Sequence, residues 1–193
     1  LKLIKKYKVS HPVDNYMPLD MLRYSKDGVN YSEKMYTFGA FFMLLDERYD
    51  GDVYLKYEFE IKDVPSICNA LVEDTNTKEV IINGNKVDDL GSILEKNLHK
   101  YNIAKYLKNG NNELIVKIHF FESEEVYYCW YGENVLESIK NCLVYDTNIE
   151  ACYLQGNFGV YGEFKQGKSE DIILGENFYI GKQKDEISSL IED

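Results

Sequence analysis

Asn83-Gly84, set between Ile81-Ile82 and Asn85-Lys86-Val87, is the feature that most limits what this chain can become. Both central positions of a type I′ turn need positive φ, which Asn and Gly tolerate, so the pair between β-branched residues predicts a two-residue hairpin. A brief helical turn over Ile103-Ala104-Lys105-Tyr106-Leu107 follows, and then a second chain reversal at Asn109-Gly110-Asn111-Asn112. Beyond it Leu114, Val116 and Ile118 point one way and Glu113, Ile115, Lys117 and His119 the other. That period of two belongs to a strand with one buried face. Hairpin, turn and strand in this order predict a β-sandwich.

The rest of the chain extends the pattern. Val53, Leu55, Tyr57, Phe59 and Ile61 alternate with polar residues and predict a strand over Asp52–Ile61. Further strands are expected at Tyr7–Val9, Leu19–Tyr24, Ile67–Val72, Ile149–Gln155, Phe158–Lys165 and Ile172–Ile180. Turns are expected at Lys26-Asp27-Gly28, Gly156 and Gln166-Gly167-Lys168, with a loop over Glu73–Lys78. Phe38–Leu45 is apolar on all sides and short, and predicts a buried helix. Asp88–Tyr101 carries a mixed pattern that assigns no element. Glu124–Lys140 reads as a surface insertion with a short helix from Asn134 to Lys140. No repeat, linker or low-complexity run divides the sequence, so residues 1–193 are expected to form one domain, excised from a longer protein.

An apolar strand, Ile82-Asn83-Gly84, the Ile103-Ala104-Lys105-Tyr106-Leu107 turn, Asn109-Gly110-Asn111-Asn112 and an alternating strand together resemble the sugar-binding, galactose-binding-domain-like sandwich of family 2 type glycoside hydrolases. Leu19-Asp20-Met21-Leu22-Arg23-Tyr24-Ser25 with Asp27-Gly28, and Glu150–Val160, are similar to accessory-domain segments of bacterial α-L-rhamnosidase-like proteins. The resemblance spans residues 17 to 165 and contains no catalytic signature. It implies an all-β, galactose-binding-domain-like jelly-roll sandwich with one or two short helices. It also implies a non-catalytic accessory role beside the catalytic domain of a parent glycoside hydrolase. An autonomous carbohydrate-binding or adhesion module is the alternative.

Composition limits the partners. With 33 acidic against 22 basic residues the net charge is -11, which repels a phosphate backbone and argues against nucleic acid. No window reaches the ~18 apolar residues of a membrane span, and the basic start has no long apolar region behind it. Cys68, Cys129, Cys142 and Cys152 have neither metal-site spacing nor the density of a disulfide framework. Reduced, mainly buried thiols are expected, which favours a cytoplasmic setting. Seventeen tyrosines suit strand faces, where the ring packs and the hydroxyl reaches water.

Chemistry is sparse. A glycosidase sets two carboxylates about 5–9.5 Å apart across a cleft, and Glu58, Glu60, Glu124, Glu125 and Glu150 read instead as solvated surface. No nucleophile elbow, zinc-protease motif or phosphate loop occurs, and His11, His99 and His119 are scattered, so no catalytic residue and no cofactor is assigned. Asp50-Gly51-Asp52 and Asp88-Asp89 offer oxygen atoms to a structural calcium ion but complete no ligand set, and no metal site is assigned. Tyr127, Tyr128, Trp130 and Tyr131 form the one aromatic cluster with a binding chemistry, because aromatic faces suit the C–H face of a sugar ring. Capping of a sandwich layer and docking onto a neighbouring domain account for the same residues. Asn83, Gly84, Asn109, Gly110 and Gly156 are expected to serve backbone geometry.

Overall fold

A computed structural model of the chain describes residues 2–11, 13–73, 76–166, 173–184 and 186–191. It is an all-β sandwich of two large sheets with three short helices. The expected turn at Gln166-Gly167-Lys168 lies largely outside the described residues, as does part of the 73–78 loop.

One sheet has five antiparallel strands in the order β2 (Asn15–Leu19), β12 (Cys152–Gly156), β6 (Cys68–Glu73), β10 (Glu95–Asn102) and β9 (Asp89–Ile93). The other runs β13 (Gly159–Gln166), β14 (Ile173–Gly181), β5 (Gly51–Ile61), β11 (Gly110–Phe120), β7 (Thr77–Ile82) and β8 (Asn85–Val87). Onto β5 it also takes β3 (Met21–Ser25), which pairs with the short β4 (Met35–Tyr36). A separate ribbon joins β1 (Lys2–Lys8) to β15 (Glu186–Ile191).

The alternating strands build the core as their patterns require. Val53, Leu55, Tyr57, Phe59 and Ile61 of β5, with Leu114, Val116, Ile118 and Phe120 of β11, face Met17, Leu19, Ala70, Val72 and Leu154 of the other sheet in one buried cluster. β6 is buried along both faces, from Cys68 to Val72, as a central strand must be.

Asn83-Gly84 makes the expected hairpin turn. Asn83 has φ 46°, Gly84 has φ 79°, and Ile82 pairs directly with Asn85. The second reversal is pinned to the first by side-chain bonds. Asn83 donates from Nδ2 to Tyr106 O at 2.9 Å and to Asn112 Oδ1 at 2.8 Å, while Glu113 N donates to Asn83 Oδ1 at 3.1 Å.

Several expectations change in the strands and in the first helix. The strand placed at Leu19–Tyr24 is two strands broken at Asp20, one in each sheet. Asp88–Tyr101 forms β9 and most of β10, which the sequence pattern did not assign. Gly156 is not in the turn: it ends β12 and pairs with Cys68 and Asn15, and the close approach needs glycine, since a Cβ there would sit 2.0 Å from the Ile67 carbonyl oxygen. Helix α1 (Thr37–Asp46) forms where expected and buries Ala40, Phe41, Leu44 and Leu45, but Phe38 and Met43 face outward.

Arg48, with φ 48°, ends α1 in a left-handed residue, as Arg48 N bonds to Leu45 O and Tyr49 N to Leu44 O, both at 3.0 Å. This is the Schellman arrangement, which usually places Gly at that position.

Candidate functional site

The aromatic segment is helical. Helix α2 (Glu124–Tyr131) follows Ser123, with Glu124 and Glu125 in its first turn where the helix dipole favours carboxylates. Helix α3 (Glu137–Lys140) occupies only the end of the helix expected at 134–140. The helical period separates the four aromatic candidates. Tyr127 is buried and lies beneath the Arg48 guanidinium, 4.4 Å from the ring centroid. Trp130 is half-buried and stacks on Phe42 of α1 at 5.4 Å. Tyr131 is exposed and donates its hydroxyl to Asp46; burial, then that bond, pushes the phenol up to about 12. Tyr128 is exposed on the outer side of α2. Leu136 and Ile139, around α3, are exposed as well.

Glu122 anchors this helical corner. Its carboxylate, 8% exposed, accepts from Asp146 N at 2.9 Å and Thr147 N at 3.0 Å. Burial raises its pKa, and the two N–H bonds oppose that shift.

One aspartate of each acidic pair is bound by protein groups. Asp52 is bound by Lys78, by Lys117 at 2.9 Å and by His119 at 3.3 Å, and the Lys78 and Lys117 bonds hold its carboxyl well below the usual range. Asp89 accepts from Gly91 N at 2.7 Å and contacts His99 Nδ1 at 2.6 Å. Asp52 and Asp89 thus work as acceptors for protein groups. Among the described residues, no group of three or more His, Cys, Asp or Glu is placed to hold a metal. Cys68, Cys129 and Cys152 are buried and Cys142 is exposed, all as free thiols. Among the described residues no helix is long and apolar enough to cross a membrane.

A cleft of about 1100 Å³ opens beside β5. Its origin is topological. On one edge β11 pairs with every residue of β5 from Gly51 to Ile61. The opposite edge is divided: β3 pairs antiparallel with Tyr54, Leu55 and Lys56, and β14 pairs parallel with Glu60 and Ile61. The cleft lies at the gap between them, with Glu58, Phe59 and Glu60 on its wall. β2 and β3 contribute Met17 to Met21, β14 contributes Gly175 to Phe178, and the two locked turns contribute Asn83 and Asn112. Two exposed rings line it, Tyr36 and Phe178. Arg23 reaches Glu58 at 3.2 Å.

Solved structures similar to this chain include a β-glucuronidase from Ruminococcus gnavus in complex with an N1-substituted uronic isofagomine. The TM-score is 0.49 and the sequence identity 16%, over 84% of this chain and 34% of that one. The β-D-glucuronidase of Dictyoglomus thermophilum is similar with a TM-score of 0.47 and 16% identity, over 82% of this chain and 32% of that one. The chain spans about a third of the length of these structures. No protein-family model and no curated protein matches it.

Proposed function

We propose that this chain is a non-catalytic accessory β-sandwich of a carbohydrate-active enzyme, of the α-L-rhamnosidase-like glycoside hydrolase kind, which supports a catalytic domain and helps shape its substrate cleft. The observation that carries the reading is the locked double turn. The hairpin at Asn83-Gly84 and the reversal before β11 are the motifs of the resemblance, and in an all-β sandwich they meet through the bond between Asn83 and Asn112. The two flanking segments of the resemblance form the end of β2 with β3, and β12 with the start of β13, in the same sandwich. Exposed Tyr128, Leu136 and Ile139 on the helical corner give the catalytic domain an apolar surface to pack on. Glu58 and Glu60 share one face of one strand, so together they do not flank a glycosidic bond from opposite sides.

The test is hydrolysis of a panel of aryl glycosides by the 193-residue chain and by the product of the complete reading frame that contains it. Activity confined to the longer product supports the accessory role. Reproducible activity in the 193 residues, or a reading frame with no second domain, overturns it. The second reading, an autonomous carbohydrate-binding module, is favoured by the cleft beside β5 and is the outcome if the frame adds nothing.

A further inference from the structure

We propose that Asn109 is a site of spontaneous covalent modification, where the side-chain amide is lost as ammonia and the β-linked product opens the second chain reversal. Asn83, which begins the other Asn-Gly pair, is held unreactive by the fold.

The chemistry needs only the dipeptide and water. The main-chain nitrogen of the glycine sheds its proton and attacks the asparagine Cγ; the Cγ–Nδ2 bond breaks, ammonia departs, and a five-membered imide remains. Water then opens the imide. Addition at Cγ gives ordinary aspartate, whereas addition at the main-chain carbonyl gives a β-linked aspartate whose backbone runs through Cβ and Cγ and is one atom longer. Either product gains a negative charge. Glycine favours ring closure because no side chain shields its nitrogen.

Asn-Gly occurs twice, at Asn83-Gly84 and Asn109-Gly110, and the two pairs are matched at the glycine. Gly84 and Gly110 have φ 79° and 89°, and a Cβ on either would meet nothing within 4 Å. They differ at the amide. Asn83 is half-buried, gives Nδ2 hydrogens to Tyr106 O and Asn112 Oδ1, and accepts from Glu113 N at Oδ1. Its Cγ reaches the Gly84 nitrogen only after those three bonds break. Asn109 is exposed, and no side-chain hydrogen bond among the described residues engages it. Gly110 forms the last pair of the ladder between β11 and β5, opposite Ile61, where strand ends fray most readily.

The effect of the product follows from Asn112. Its amide spans Asn109: Nδ2 donates to Lys108 O at 2.7 Å and Gly110 O at 2.9 Å, and Oδ1 accepts from Lys108 N at 3.0 Å. An extra main-chain atom between Lys108 and Gly110 carries these groups beyond the reach of one amide. Ordinary aspartate at the same position leaves the span intact.

Peptide mapping by mass spectrometry tests this on the 193-residue chain aged in mildly alkaline buffer, with and without urea. Electron-transfer fragmentation tells β-linked from ordinary aspartate. Without urea, Asn109 is expected to lose its amide at least tenfold faster than Asn83; in urea the two rates converge. Asn109→Gln should abolish the reaction, because the longer side chain must close a less favourable six-membered ring. The β-linked form, separated by its added charge, should show a lower urea midpoint than Asn109→Asp, which carries that charge on an unaltered main chain. The proposal is overturned if Asn109 keeps its amide in the folded chain while losing it in urea. It is also overturned if Asn83 reacts as fast as Asn109 without urea, or if the β-linked form is as stable as Asn109→Asp.

Discussion

Asn83 donates to Asn112 across 2.8 Å, and that bond ties a hairpin turn to a chain reversal 29 residues away. Asn112 is only 2% exposed and uses its amide fully: Oδ1 also accepts from Lys108 N at 3.0 Å, while Nδ2 donates to Lys108 O at 2.7 Å and Gly110 O at 2.9 Å. Removing it strands several half-buried backbone groups. Asn112→Ala is expected to cost about 3 kcal/mol, read as a lower urea midpoint with an unchanged slope. Asn112→Asp should do no better, because a carboxylate would face two carbonyl oxygens that now accept. A midpoint equal to that of the parent in either variant would remove the lock from the account of the fold.

Gly156 and Gly84 are both required, for different reasons. Gly156→Ala drives a methyl group into the Ile67 carbonyl where β12 meets β6, and about 4 kcal/mol or more of destabilisation is expected. Gly84→Ala meets nothing within 4 Å and pays only for its φ of 79°, about 1–2 kcal/mol. Thermal melts of the two variants should keep that order, and the reverse order counts against the close approach at Ile67.

Arg48 sets two effects against each other. Glycine there removes the left-handed penalty of about 1 kcal/mol but also the cation over Tyr127, worth about 0.5–1 kcal/mol. Arg48→Gly should therefore match the parent, whereas Arg48→Ala keeps the strain, loses the ring contact and falls about 1 kcal/mol below it. Chemical denaturation of both variants decides, and an alanine variant as stable as the glycine variant would falsify the balance.

Asp27 makes the turn after β3 sensitive to acid. Its carboxylate accepts from Asn30 N and Val29 N, both at 2.8 Å, from Asn30 Nδ2 at 2.7 Å and from Ser25 Oγ at 2.8 Å. The backbone bonds from Asn30 and Val29 hold its pKa well below the usual carboxylate range. A folded-state pKa below the unfolded value stabilises fully above the unfolded value, about 4, and that contribution fades as pH falls through the folded one. The stability gap between the parent and Asp27→Ala should be constant near neutrality and narrow below about pH 4. Urea titrations at stepped pH measure it, and a gap that widens in acid contradicts the assignment.

How far the sequence foretold this fold depends on where its signal lay. β5 and β11 were legible because an apolar side chain recurs at every second position and each of those is buried. β9 and β10 were not, because Glu95, Lys96 and Asn97 are exposed and the chain bends through Leu94 with φ 65°, which leaves no alternation to read. Helix α2 has a weak helical signal in its sequence. Val126, Tyr127 and Trp130 form a helical stripe behind Ser123, Glu124 and Glu125, but Val and Tyr are strand-prone residues and masked it. The cleft had no sequence signature, since its walls come from Asp20, Glu60 and Phe178, brought together only when β3 and β14 dock on one edge of β5.

That shared edge also fixes an order of events at the ribosome. β5 meets β3 and β11 while the chain is being made, but β14 emerges after every other strand of its sheet, and its parallel seat pairs Tyr179 with Glu60, far apart in the sequence. Until then the end of β5 stays an open strand edge, the kind of surface on which nascent chains pair with the wrong neighbour. Lys62 and Asp63, charged and exposed just past that end, stand where a gatekeeper against such pairing is most useful.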